Sequence, residues 1–312
     1  IAAYAFAEML ESGFTTVGEF HYLHHQPDGA PYANRAELAE RIAAAASASG
    51  IGLTLLPVFY AHGNFGDAPP SPRQARFLND LDGFAALLDG CRRAVSGLDT
   101  AVVGVAPHSL RAAAQAEVAA VAALAPDGPI HIHAAEQVRE VADCEAATGL
   151  RPVEFLLDRI GIDARWTLIH ATHLTAGETR RLAASGAVAG LCPVTESNLG
   201  DGIFPAADYL GAGGRFGIGT DSNILISAPD ELKATEYIQR LKYRARNVLA
   251  PKGGSTGRRL FDGALAGGAQ ALGLGAVGIA PGARGDLVTL QAGHPSLALA
   301  QGRCARGGGH IE

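Results

Sequence analysis

Short apolar runs alternate along the chain with longer stretches whose apolar residues recur at helical spacing. This alternation is typical of strand–helix units repeated around a parallel sheet. The runs predict seven strands, at 15–20, 52–59, 101–106, 129–134, 166–171, 187–191 and 215–219. The longer stretches predict helices at 2–12, 35–49, 80–96, 115–124, 140–160, 176–185, 230–249 and 261–272.

Seven strands are one fewer than a closed (β/α)8 barrel requires. Since residues 2–12 already form a helical pattern, the run at 15–20 corresponds to the second strand of such a barrel. We therefore predict an α/β fold, a (β/α)8 TIM-like barrel whose first strand is missing. A turn and an apolar run at 278–290 predict a small β element outside the barrel.

The composition narrows the class of protein. Hydrophobic residues make up 48% of the chain and charged residues 18%, which predicts a large buried interior and excludes a long disordered protein. The net charge of −6 and the absence of a Lys/Arg cluster argue against nucleic acid or an anionic membrane as partner. Cys91, Cys144, Cys192 and Cys304 lie far apart in the sequence, which is typical of a reducing cytoplasm. A cytoplasmic protein with a small-molecule partner is expected.

Polar side chains are concentrated where the predicted strands end. In barrel enzymes the reacting groups lie at the carboxyl ends of the strands. Histidines end two of the strands here, His133 and His170, and the carboxylate of Asp221 follows the last one. Imidazole and carboxylate ligands with room for a bound water suit zinc or a similar ion. The pattern therefore predicts a metal-dependent hydrolytic site.

Two of these strand ends carry further candidates. His131 and His133 point to the same side of one strand, and we expect His133 to face the metal while His131 lies deeper in the barrel. Glu136 follows the same strand and could hold or donate a proton, or could interact with the dipole of the next helix. Cys192 is expected to be a small buried residue and not a nucleophile.

The motifs at these strand ends resemble a known superfamily. His133-Ala-Ala-Glu136, His170 and Thr220-Asp221-Ser222 resemble the deaminase branch of the amidohydrolase superfamily. Within that branch, three loops at 18–25, 104–111 and 195–205 resemble the formimidoylglutamate deiminase family. The resemblance extends from about residue 1 to residue 290.

The resemblance implies one zinc ion, held by a His-x-His pair on the first strand, a histidine on the fifth and an aspartate on the eighth. By motif the last two ligands are His133 and Asp221, whereas the His-x-His pair has no counterpart. We therefore expect a chain that lacks its N-terminal segment and two of its four zinc ligands. It would consist of a metal-dependent amidohydrolase barrel at 1–275, incomplete at the N-terminus, and a partial β-sandwich segment with a tail at 276–312.

The reaction that the resemblance implies is the hydrolytic deimination of N-formimino-L-glutamate to N-formyl-L-glutamate and ammonia, in histidine degradation. Asp221 would accept the proton of the attacking water, Glu136 would protonate the imino nitrogen, and His170 would stabilise the tetrahedral intermediate. The resemblance also suggests a homodimer.

The two carboxylates of this substrate require fixed hydrogen-bond donors. Arg111 offers a two-pronged guanidinium, and Tyr22 and His108 add donors from neighbouring strand ends. Arg111 could instead be a surface charge, and Tyr22 a core aromatic residue. Four further histidines are expected to act as hydrogen-bonding loop residues and not as metal ligands: His21, His24, His25 and His173. Asn198 and Asp201 could be turn residues or could shape the site.

Two alternatives remain open from the sequence. The chain could be another aminohydrolase of the same branch, acting on guanine, cytosine or an adenosine derivative. It could also be a catalytically inactive fragment or a binding protein, because two expected ligands have no counterpart. A contact between Arg111 and a substrate carboxylate separates the deiminase from the ring deaminases.

Overall fold

The computed structural model describes residues 1–222, 225–291 and 293–295. Its strands are β1 Thr16–His21, β2 Gly52–Phe59, β3 Val102–Val103, β4 Ala106–Pro107, β5 Ile130–Ala134, β6 Trp166–His170, β7 Val188–Leu191 and β8 Arg215–Ile218. Its α-helices are α1 Ala2–Glu11, α2 Glu37–Ser49, α3 Leu81–Ala94, α4 Gln115–Ala123, α5 Val138–Thr148, α6 Pro152–Phe155, α7 Ala176–Ser185, α8 Pro193–Leu199, α9 Ala206–Gly211, α10 Ala228–Tyr243 and α11 Thr256–Ala271.

All pairings between these strands are parallel, as expected when each strand is followed by a crossover helix. β2 pairs with β1 on one side and with the short β3 and β4 on the other, and β5 to β8 follow in sequence order. Isolated bridges between Val105 and Ile130 and between Ser109 and His133 connect the two groups. Within the described residues no pairing joins β8 to β1, so the barrel is open along that seam.

The helices pack their apolar faces on the outside of the sheet, and α3 illustrates why they form where they do. The Asp80 side chain begins α3 by accepting a hydrogen bond from the Gly83 amide at 2.7 Å. Phe84, Leu87 and Leu88 then recur at helical spacing and are buried. The Phe84 ring packs edge-on against Phe59 of β2, with ring centroids 5.4 Å apart. Truncating such a residue to alanine costs about 3–5 kcal/mol.

The open seam is bordered by α11, which packs directly against β8. A Cβ atom at Gly267 would collide with the Phe216 carbonyl, and one at Gly263 would lie 2.6 Å from the Phe216 ring. Only glycine lets the helix approach the strand this closely. The C-terminal end of α11 also contacts the barrel interior, since the carbonyls of Ala271 and Leu272 accept hydrogen bonds from His131 and Thr54.

The predicted strands are confirmed to within one or two residues, except that the third is divided into β3 and β4. The predicted helix at 140–160 is wrong in one respect. It is interrupted after α5, where Gly149 adopts a left-handed conformation with φ of 76°, and α6 begins at Pro152. Glycine with positive φ ends a helix, and proline favours the first turn of the next. The short helices α8 and α9 were not predicted.

The predicted β element at 278–290 is not observed, because residues 276–291 form turns, bends and irregular structure without a strand partner. An extended segment needs a partner for its backbone hydrogen bonds before it becomes part of a sheet. The proposed division at 275 stays a prediction, and Cys304 and the tail at 296–312 lie outside the described residues. None of the described helices is both long and apolar enough to span a membrane.

Candidate active site

The carboxyl ends of the parallel strands bring the predicted site residues to one end of the barrel. Tyr22 follows β1, and His108 and Arg111 follow β4. The remaining four are His133 in β5, Glu136 between β5 and α5, His170 at the end of β6 and Asp221 after β8. The aromatic rings of this group form a chain, in which His133 lies 4.9 Å from His108 and 5.5 Å from His170 between ring centroids.

His133 presents one ring nitrogen to the barrel interior. Its Nδ1 donates a hydrogen bond to the His108 carbonyl at 3.0 Å, which leaves Nε2 as the atom with a free lone pair. The Tyr22 hydroxyl lies 3.5 Å from that Nε2. Burial holds the pKa of His133 well below its usual value, so the ring is neutral at physiological pH. A neutral imidazole whose second nitrogen is hydrogen-bonded to a carbonyl is the usual form of a histidine metal ligand.

His131 uses its other ring nitrogen for a backbone contact. Its Nε2 donates to the Ala271 carbonyl at 2.6 Å, which ties β5 to the end of α11. Burial lowers its pKa to about 4. His131 therefore lies deeper in the barrel than His133 and serves the packing of α11 against the sheet.

The carboxylates of Glu136 and Asp221 both lie near the same ring nitrogen of His170. Nε2 of His170 lies 3.6 Å from Oε1 of Glu136 and 4.0 Å from Oδ2 of Asp221. Burial opposes the charged form of His170, but a hydrogen bond with Glu196 and the nearby carboxylates of Glu136 and Asp221 outweigh it and raise its pKa. Burial raises the pKa of Glu136. A carboxyl group with a raised pKa beside a histidine is suited to moving a proton.

Arg111, His108 and Tyr22 form a second group, beside Glu136 and His133. Nη2 of Arg111 is 3.9 Å from Oε2 of Glu136, and its buried Nε has no hydrogen-bond partner among the residues that the structure describes. His108 stays neutral because burial lowers its pKa to about 3, and its Nδ1 contacts the Ser109 hydroxyl at 2.8 Å. The Tyr22 and His108 rings meet edge to face at 5.6 Å. This group offers a substrate two donors, the unpaired Nε of Arg111 and the phenol of Tyr22.

A cavity of about 580 Å³ opens beside these residues, within the range of small-molecule sites. Tyr22, His133 and Asp221 line it, and the edges of β1 and β8 form its sides. Cys192 also lines it, but burial raises its thiol pKa well above the usual value, so it stays protonated. This agrees with the prediction that Cys192 is not a nucleophile.

The donor set fits a metal ion in part. His133 and Asp221 both line the cavity. They offer an imidazole nitrogen and a carboxylate oxygen, which are ligand types that zinc binds. No group of three or more candidate ligands is arranged around one point within residues 1–222, 225–291 and 293–295. A metal at this place therefore needs ligands in addition to His133 and Asp221.

Two buried carboxylates at the strand ends had no role assigned from the sequence. Glu140 accepts the amides of Ala135 and Glu136 at 3.0 and 2.9 Å and thereby fixes the turn that carries Glu136. Glu196 contacts His170 Nδ1 at 3.4 Å. Each is an acidic residue in the first turn of a helix that follows a strand. That position is typical of ordinary helix capping, so the sequence alone does not distinguish Glu140 and Glu196 from simple capping residues.

Three of the four histidines that were expected to act as hydrogen-bonding loop residues do so. His21 does not, because it ends β1 and its Nε2 has no hydrogen-bond partner among the described residues. Nε2 of His24 donates to the Val58 carbonyl at 2.9 Å, and Nε2 of His25 to the Leu78 carbonyl at 2.6 Å. Nε2 of His173 donates to the Asp201 carbonyl at 2.8 Å, which joins the loops after β6 and α8. His21 is buried beside His24, and burial lowers its pKa to about 4.

A family model described as the amidohydrolase family matches residues 1–304. The chain belongs to the amidohydrolase family. Its structural neighbours include an amidohydrolase from Brucella melitensis, 60% identical, with a TM-score of 0.86 over 87% of this chain and 61% of that one. The barrel is therefore of the amidohydrolase type, as the motifs at its strand ends predicted.

Two further relatives bear on the chemistry of this amidohydrolase. A formimidoylglutamate deiminase from Pseudomonas aeruginosa is 50% identical over 304 residues, which cover 97% of this chain and 67% of the relative. An adenosine deaminase from Xanthomonas campestris, solved with bound zinc, is 25% identical, with a TM-score of 0.66 over 87% of this chain and 56% of that one. The chain thus spans about half to two thirds of the length of these relatives.

Proposed function

We propose that this amidohydrolase catalyses the zinc-dependent hydrolytic deimination of N-formimino-L-glutamate, giving N-formyl-L-glutamate and ammonia. The observation that carries the proposal is the proximity of Glu136 and Asp221 to His170. Arg111, whose buried Nε is unpaired among the described residues, lies beside Glu136. The 50% identity to a formimidoylglutamate deiminase supports the same substrate. The resemblance places this reaction in histidine degradation.

The substrate presents a formimino group at one end and two carboxylates at the other. Arg111 Nε and Nη2 can form a two-pronged contact with one carboxylate, and such charge-assisted pairs are the strongest hydrogen bonds at a protein site. The Tyr22 hydroxyl and the His108 ring can donate to the same end of the substrate. Because Nη2 of Arg111 lies 3.9 Å from Oε2 of Glu136, a substrate with one carboxylate on Arg111 would hold its formimino group near the catalytic carboxyl group.

The formimino carbon then lies between three proton-handling groups. Asp221 takes a proton from the attacking water, and Glu136 delivers a proton to the departing nitrogen, for which its raised pKa suits it. His170 Nε2, between the two carboxylates, donates to the oxygen that develops negative charge. Addition of water to the amidine carbon followed by loss of ammonia gives the formyl product.

A zinc ion held by His133, Asp221 and further ligands would supply a water of lowered pKa at this position. The neutral His133 ring, with Nδ1 fixed on the His108 carbonyl, is already in the form that such a ligand requires. The zinc-containing adenosine deaminase of the same fold supports this metal.

A ring deaminase is the second candidate, favoured by the likeness to the Xanthomonas campestris adenosine deaminase and by a cavity of about 580 Å³. Purine and pyrimidine bases carry no carboxylate, so Arg111 would have no negatively charged partner in their complexes. The guanidinium with its buried, unpaired Nε therefore favours the dicarboxylate substrate.

The test is ammonia release from N-formimino-L-glutamate after addition of zinc, with guanine, cytosine and adenosine offered in parallel. The measurement uses this chain and a form of it preceded by a barrel strand with a His-x-His pair. Turnover of the formimino compound alone supports the proposal. Turnover of a ring substrate, or of none of the four in both forms, refutes it.

A further inference from the structure

Glu196 is a buried carboxylate at the start of α8, directly after β7, and its side chain is 3% exposed. Its Oε1 accepts a hydrogen bond from the Cys192 amide at 3.1 Å. That bond alone would make it an ordinary helix cap, since orphan amides of a first turn need acceptors. The same oxygen, however, lies 3.4 Å from Nδ1 of His170, which is 26 residues earlier in the chain.

His170 is held in an unusual conformation. Its φ is 68° and that of the next residue, Ala171, is 47°, both in the left-handed region that residues other than glycine rarely adopt. Such a conformation persists only where surrounding contacts compensate for its cost of about 1–3 kcal/mol. Glu196 makes the polar contact to the His170 ring on the side away from the reacting groups.

The two ring nitrogens of His170 face different partners. Nδ1 points to Glu196, whereas Nε2 faces Glu136 and Asp221 at 3.6 and 4.0 Å. An ionised carboxylate only accepts hydrogen bonds, so its contact with Nδ1 keeps the proton on that nitrogen. The orientation of Nε2 toward the reacting groups then follows from the rigid geometry of the ring.

Helix α8 is itself anchored on both sides. The Thr195 hydroxyl donates to the Thr220 carbonyl at 3.1 Å, next to Asp221, and the Val194 amide donates to Glu231 at 3.1 Å. The carboxylate that contacts His170 therefore stands on a first turn fixed against the end of β8 and α10. A rigid support of this kind is what precise orientation of a reacting group requires.

We propose that Glu196 is the positioning residue of His170, which accepts its Nδ1–H and aims Nε2 at the space between Glu136 and Asp221. This inference rests on the proposed function for its catalytic meaning, but the contact itself can be tested without turnover. Glu196 touches neither substrate nor water in this role and acts only through His170.

The experiment measures the ring of His170 directly, by NMR of the full 312-residue chain labelled with 15N-histidine. The His170 signals are assigned from their absence in His170→Ala. We expect a hydrogen-bonded Nδ1 proton at low field in the unsubstituted chain. The signal of this proton should move upfield in Glu196→Gln, because a neutral amide is a weaker acceptor. In Glu196→Ala the signal should disappear, because the proton then exchanges with water. Unchanged His170 signals in both variants would overturn the proposal.

Glu231→Gln is the matched control, because Glu231 is also buried and accepts an amide of α8 but does not contact His170. Its His170 signals should match those of the unsubstituted chain. If Glu196→Ala fails to fold, Glu196→Gln decides the question alone. His170 signals that move equally in Glu231→Gln and Glu196→Gln would show a general effect on α8 and overturn the specific role.

Kinetics on the zinc-loaded enzyme form the second arm. Glu196→Ala should lower kcat by about 10- to 100-fold, the usual effect of losing a residue that orients a functional histidine, with KM changed less than about twofold. Glu196→Gln should recover much of the loss. If the protein has no deiminase activity but its His170 signals respond as expected, the proposed function is refuted and the positioning contact stands. An unaltered kcat in an active Glu196→Ala enzyme would overturn the catalytic meaning of that contact.

Discussion

Replacing Arg111 with methionine tests the recognition of a substrate carboxylate most directly. Methionine keeps the apolar length of the side chain and removes the donors and the charge. The fold should be unaffected, because the contact of Arg111 with Glu136 at 3.9 Å is long and the side chain is 31% exposed. Contacts of that kind contribute little to stability. The expected effect is therefore on substrate binding.

The size of the effect follows from the hydrogen bonds that would be lost. A hydrogen bond to a charged group contributes about 1.5–3 kcal/mol, and about 1.4 kcal/mol corresponds to a factor of ten in affinity. Loss of the Arg111 contact should thus raise KM about 10- to 150-fold. Because roughly a third of the side chain is exposed to solvent, we expect the lower half of that range.

The assay compares ammonia release from N-formimino-L-glutamate and from a simple N-alkylformamidine without carboxylates. Arg111→Met should raise KM for the first and leave kcat/KM for the second within about twofold, whereas Arg139→Met, which removes an exposed arginine of α5, should change neither. The pH profile offers an independent check, because Arg111 is one of the charges that lower the pKa of Glu136 against burial. Its removal should move the alkaline limb of kcat to higher pH. An unchanged KM for formiminoglutamate would refute the recognition argument.

Three further predictions concern the metal, the pH dependence of stability and assembly. His133→Ala and Asp221→Asn should each reduce bound zinc, measured by atomic absorption, together with turnover, and full metal content in either variant would contradict its assignment. Burial raises the pKa of Glu19 in β1 to about 7, so its carboxyl binds more protons in the folded than in the unfolded state between about pH 4.5 and 7. The free energy of unfolding should therefore fall as the pH rises through that interval. Glu19→Gln should remove part of this pH dependence, measured by urea unfolding, and an equal pH dependence in both proteins would contradict the prediction. Light scattering should give twice the 32.0 kDa mass of the chain if it forms the homodimer that the resemblance suggests, and a monomer mass would exclude it.

The sequence by itself determined the parallel barrel and the end of the barrel where chemistry takes place. Strands such as β2 and β7 are buried along their whole length and are largely apolar in sequence, and the crossover helices show helical spacing. Four of the site residues lie at strand ends or directly after them in the sequence: His133, Glu136, His170 and Asp221. Their proximity then follows from the rule that the carboxyl ends of parallel strands meet at one face.

Only the tertiary structure decided how these residues are supported. Glu196 and Glu140 are acidic residues in first helical turns, and their local sequence is indistinguishable from a simple cap. The contact of Glu196 with His170 depends on how α8 packs against the end of β6. Glu140 instead holds the turn directly before its own helix. Likewise, the absence of a strand at 278–290 reflects the lack of a partner in space. Local pattern specifies elements through side-chain period and turn chemistry, whereas the contact of Glu196 with His170 joins residues 26 positions apart in sequence, which the pattern does not encode.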